Sequence, residues 1–284
     1  MIRLDAATVL LQWATGGLFF LWLTTRRREV GLGYGWLLRS VYAVMAAGAA
    51  LAGGLVRPDL LRDVLAALTA LAAISVLAVS VALRRAGVSG QREREERRSA
   101  RVASMTGIDR PARTVVPAGR EFPPALDLIA PVIGAAGCIV AALAAGGPAG
   151  LSVARTLVGA AFLGAVTDAM LLGHWYLVQP GLGRGPLLEM VRALAILWPF
   201  EVLVMLWPTG MVSVLNGSID DGWHGVLGWF WVACALTTIV LCGVTRKALD
   251  ERSYSAVMAA TGLLYLAILT AFGTDLVARA VLTS

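Results

Sequence analysis

Apolar residues come in long unbroken runs along this chain, and polar residues are concentrated in the stretches between them. Eight runs stand out, at roughly 7–24, 35–55, 63–83, 125–146, 153–178, 187–207, 223–244 and 254–277. Each is close to the ~20 residues that a helix needs to cross a bilayer core of ~30 Å. Lipid cannot satisfy bare backbone N–H and C=O groups, so segments of this length must be helical. The alternating ~10-residue segments of a transmembrane β-barrel do not occur. The pattern predicts an all-α, polytopic bundle of eight transmembrane helices, with residues 1–284 forming a single transmembrane domain. Composition agrees: 58% of residues are hydrophobic and 15% charged.

The first run does not read as a cleavable signal peptide. Asp5 and a lone Arg3 precede it, and Arg26, Arg27 and Arg28 follow it where a small-residue cleavage site would be needed. Basic residues also set the expected orientation. They follow run 1, run 3 (ten arginines from Arg84 to Arg120), run 5 (Arg184) and run 7 (Arg246, Lys247, Arg252). The other connections are poor in them. Arg57 and Arg62 are accompanied by Asp59 and Asp63, and the connection after run 6 carries only Asp220 and Asp221. Both termini are therefore expected on the non-cytoplasmic side of a bacterial cytoplasmic membrane, in a multi-pass protein.

Residues 85–124 form the one long polar segment, a basic cytoplasmic loop. It opens with the charged stretch Gln91–Arg98 and continues through Pro111, Pro117, Pro123 and Pro124. The charged stretch suits a short salt-bridged helix, and the proline-punctuated remainder suits extended chain. The loop reads as a solvated linker that fixes topology, or as a docking point for anionic lipid or for other membrane or respiratory subunits. The net charge of +6 belongs to a cytoplasmic membrane face and does not imply nucleic acid as a partner.

Cys138, Cys234 and Cys242 all fall inside apolar runs, so no disulfide is implied. The only histidines, His174 and His224, sit toward opposite faces and cannot ligate one haem. No HExxH, P-loop or dinucleotide fingerprint occurs. Haem and metal are not expected, a quinone is the candidate cofactor, and the chain is not expected to act as an enzyme on its own.

Ionisable groups at membrane depth carry the candidate chemistry, because each costs ~2.5–3.5 kcal/mol at a helix centre. Asp168 lies near the midplane of run 5, and Glu201 in the outer half of run 6, after Pro199. Toward the cytoplasmic end, Asp127, His174, Glu189 and Arg192 are expected to gather around the hairpin of runs 5 and 6. A histidine bonded to a carboxylate there suits a proton relay or a quinone headgroup. Toward the outer end, Arg155, Asp220, Asp221 and His224 form a second expected cluster, with Asp275 in reach and Arg155 at the depth of Glu201. Arg39 sits near the inner end of run 2, where it can snorkel to water. Runs 1 and 3 look like apolar packing.

Three functions fit these residues. The first is a respiratory or redox-linked membrane subunit handling quinone or protons through runs 4–8. Its eight spans without haem ligands resemble, in span count alone, the membrane anchors of polysulfide-reductase-type complexes. The second is a proton-coupled small-solute transporter or permease, against which stands the lack of an internal repeat. The third is a non-catalytic membrane scaffold.

Overall fold

The computed structural model describes residues 4–83, 122–178, 182–207, 210–251 and 253–283. Most of the basic loop, with its Gln91–Arg98 stretch, lies outside the described residues. Among the described residues there are no strands. The helices are α1 (Ala6–Thr25), α2 (Leu32–Val56), α3 (Leu60–Ala82), a 3₁₀ turn (Pro124–Leu128) leading into α4 (Ile129–Ala144), α5 (Ala149–Val178), α6 (Gly185–Leu206), the short α7 (Met211–Leu215), α8 (Val226–Asp250) and α9 (Tyr254–Leu282). Seven are long and apolar enough to cross a membrane: α1, α2, α3, the 3₁₀ turn with α4, α5, α8 and α9. The protein is thus a multi-pass membrane protein by helix length and composition. The remaining long helix, α6, spans 22 residues and carries Glu189, Arg192 and Glu201.

Helix boundaries follow local chemistry. Asp5, Asp59 and Ser253 cap α1, α3 and α9 by accepting the N–H of Thr8, Arg62 and Ala256, which satisfies donors that a helix start leaves bare. The helix begun after Asp221 starts at Val226, three residues later than the hydropathy suggested, because Asp220–Gly225 is used up in turns. Short α7 was not foreseen.

Helices α1 to α4 pack as one group, and α5, α6, α8 and α9 as another. The two groups meet chiefly along α1 and α5. There Gly16 and Gly164 let backbone touch backbone: a Cβ on Gly16 would fall 1.7 Å from the Ala160 carbonyl oxygen. Close approach of this kind drives helix association in lipid, where apolar burial gives little. The main core lies along this contact, with Leu18, Leu21, Phe162, Val166, Ala169 and Leu172 buried in it.

Polar side chains tie the bundle at both ends. At one end Arg62 bonds Asp5 (3.1 Å), Asp63 (2.8 Å) and the Arg57 carbonyl (2.7 Å), joining α1, α2 and α3. At the other, Arg184 donates to the carbonyls of Leu249 (3.0 Å), Glu251 and Ser253 (3.1 Å), fixing α6 against the α8–α9 turn. The Leu4 N–H donates to Thr283 Oγ1 (3.1 Å), so the first and last helices meet at the same end of the bundle.

Candidate functional site

Three helices direct polar side chains into one buried place, against a fourth, α5. Gln12 on α1, Glu201 on α6, and Asp275 and Arg279 on α9 are each wholly buried. Gly159 on α5 makes the room. A Cβ there would lie 2.5 Å from Gln12 Nε2, 2.6 Å from Asp275 Oδ1 and 3.1 Å from Arg279 Nη2. Side chains on a helix lean toward its N-terminus, so Arg279 reaches back one turn and donates from Nε to Asp275 Oδ2 (2.7 Å). Glu201 is the neighbour of both Asp275 and Arg279.

The cluster is short of hydrogen bonds. Both oxygens of Glu201, Oδ1 of Asp275, both Nη atoms of Arg279 and both polar atoms of Gln12 are buried without a partner. Buried polar groups are nearly always paired, so a concentration of bare ones calls for an explanation. Two carboxyls and one guanidinium carry a net charge of −1 when all are ionised, and a single proton makes the group neutral. Two ionised carboxyls cannot bond each other, and a proton on either one lets it donate to the other.

Depth follows from helix rise. Glu201 is five residues from the end of α6 and Asp275 seven from the end of α9, or about 8 and 10 Å at 1.5 Å per residue. Asp168 is a separate, deeper site. It lies ten residues, or about 15 Å, from the far end of α5, wholly buried, and accepts the hydroxyl of Tyr42 on α2. Its second oxygen has no partner.

Other expected groupings do not form. Asp127, His174, Glu189 and Arg192 do not gather. Asp127 instead accepts a two-pronged bond from Arg39, Nε to Oδ1 and Nη2 to Oδ2, both 2.7 Å. Both side chains are buried, so Arg39 does not snorkel. Glu189 pairs with Arg26 at 2.5 Å and lies 3.5 Å from Arg27. His174 faces outward, with Nδ1 3.2 Å from the Tyr265 hydroxyl, and Arg192 is exposed. The reason is helix order. Helix α2 and its connection from α1 bring four arginines to this end, and Asp127 and Glu189 pair with three of them.

The outer cluster divides likewise. Arg155 does reach α6, but it donates to the carbonyls of Val204 (2.8 Å) and Trp207 (3.2 Å) at the helix end, not to Glu201. Bare carbonyls at a helix C-terminus attract a cation. Asp221 accepts the N–H groups of Gly225 (2.8 Å), Trp223 (2.9 Å), Leu227 (2.9 Å) and Gly228 (3.4 Å). These bonds, that of Gly225 foremost, hold its carboxyl below the usual carboxylate range. Asp220 forms its own turn with Gly222 (2.9 Å). His224 is exposed, with a left-handed φ of 54°. These are loop-shaping roles.

Reading the sequence missed Gln12, Tyr42 and Arg279. Arg279 had a signal, a base four residues after an acid inside an apolar run, but ending the last run at 277 left it outside. Among the described residues, no three His, Cys, Asp or Glu side chains converge as a metal site would need. Compared with protein-family models, curated proteins and solved structures, the chain matches none of them.

Proposed function

We propose that this protein is an eight-span subunit of the cytoplasmic membrane, with both termini on the non-cytoplasmic side, that binds and releases a proton at Glu201. The eighth span is α6. At 22 residues it extends about 33 Å, and the meeting of Leu4 with Thr283 supports an even number of crossings. The positive-inside bias supports the sidedness.

The observation that carries the proton reading is Glu201 itself. Its two carboxyl oxygens are buried without a donor, beside the paired Asp275 and Arg279. A fixed negative charge left bare there is expensive. A proton on Glu201 removes that charge and lets it donate to the neighbouring Asp275, so the site favours a carboxyl that takes up a proton. Asp168, bonded to Tyr42, is a second buried carboxyl with a bare oxygen.

The test is infrared difference spectroscopy of the reconstituted protein through a step in pH. A protonated-carboxyl band that changes in the wild type, disappears in Glu201→Gln and persists in Asp127→Asn is the expected result. Identical spectra for wild type and Glu201→Gln would remove the proposal and favour a scaffold. A quinone reading rests on a separate observation, the outward-facing His174–Tyr265 pair between α5 and α9. It requires that a quinone analogue raise the melting temperature and that His174→Ala abolish the rise.

A further inference from the structure

We propose that the short helix α7 is a hinged plug that controls access of water and protons to Glu201 from the end of the bundle where the chain termini meet. The proposal rests on the reading of Glu201 as the proton-binding group.

The cluster around Glu201 is covered at that end by a small apolar core separate from the main one. It consists of Met205 on α6, Met211 and Val214 on α7, Trp231 on α8, and Ala278, Val281 and Leu282 on α9, all buried. This cap sits directly on the polar group. Met205 is one turn beyond Glu201 on α6, and Ala278 lies between Asp275 and Arg279 on α9. Two of the cap residues, Met211 and Val214, come from α7, a helix of only five residues. A single turn has almost no stability of its own, so α7 stays in place by inserting those two side chains. Its opposite side shows Val212, 48% exposed.

Glycines flank α7 at positions where a side chain would clash or be strained. A Cβ on Gly210 would fall 2.0 Å from the Met205 carbonyl oxygen, so Gly210 lies tightly against the last turn of α6. Gly217 holds a φ of +77°, a left-handed conformation that costs glycine nothing. Between them α7 can swing as a unit, withdrawing Met211 and Val214. The Trp231 indole N–H, buried in the cap without an acceptor, is a donor that entering water would satisfy.

The experiment is thiol accessibility in nanodiscs, with Cys138, Cys234 and Cys242 replaced by alanine and Ala278→Cys as the reporter under the plug. A small hydrophilic thiosulfonate should label it slowly. Adding Met211→Ala with Val214→Ala should accelerate labelling about tenfold or more, as expected for a locally destabilised cover. Val212→Ala, on the open side of α7, should leave the rate unchanged. If the double variant does not fold, Val214→Ala alone should give a smaller increase in the same direction. Unchanged labelling in the plug variants, or equal acceleration by Val212→Ala, overturns the proposal. Labelling reads access and the infrared band reads protonation, so failure of either leaves the other result intact.

Discussion

Replacing Asp127 with asparagine keeps the shape of the side chain and removes one charge of a buried pair. Arg39 and Asp127 have side chains only 4% and 3% exposed, joined by two bonds of 2.7 Å. Solvent screening is therefore slight, and Thr25 at 3.4 Å adds little. Asp127→Asn leaves the Arg39 guanidinium charged without a counter-ion, which costs about 3–5 kcal/mol. For a chain of this size that lowers the melting temperature by on the order of 10 °C. The buried cysteines Cys138, Cys234 and Cys242 report unfolding to a thiol-reactive dye at fixed scan rate. Replacing both partners with apolar residues, Arg39→Met with Asp127→Leu, removes the stranded charge, so most of the loss should return, to within about 1–2 kcal/mol of wild type. If Asp127→Asn melts within a degree or two of wild type, the Arg39 charge is reaching water or headgroups and the buried pair is not a structural tie. If the double variant is no better than the single one, the cost lies in packing and not in charge.

Three further outcomes are expected. Gly164→Ala would bring a Cβ 2.1 Å from the Gly16 carbonyl carbon; the α1–α5 contact must open, and folded monodisperse protein in size-exclusion chromatography should largely disappear, whereas Gly262→Ala, with open space around it, should behave as wild type. Tyr42→Phe removes the donor to Asp168 and should cost about 1–3 kcal/mol in the same dye assay, with Asp168→Leu in the Tyr42→Phe background recovering part of it. Asp221 has a carboxyl pKa below that of the unfolded chain, so its contribution is complete above the ordinary carboxylate pKa of ~3.9 and fades as pH falls through the lower native value. Asp221→Ala should lower the melting temperature at neutral pH and narrow its gap to wild type as pH falls through that native value; a gap independent of pH would count against the backbone bonds as the cause.

The membrane class and the helix positions were legible in the sequence, because hydropathy adds up over about 20 residues and needs no knowledge of neighbours. Even α6, with its three ionisable groups, announced itself as an apolar run. The expense of Asp168 and Glu201 was legible for the same reason, since depth within a run follows from counting residues. Their partners were not. Asp127 shares a depth with His174, yet it meets Arg39, because the 3₁₀ turn that carries it packs against α1, and no count along the chain reveals that. Arg155 reaches α6, the helix that carries Glu201, but the rotation of α5 aims its guanidinium at the bare carbonyls of Val204 and Trp207. Gln12 sits in a run that looked like plain packing. The sequence by itself determined that this is a helical membrane protein with costly acids in its interior. Only the tertiary structure decided which acid is paired and which is bare, because helix order and helix rotation choose the neighbour, and in a medium without water the neighbour decides whether a charge can remain.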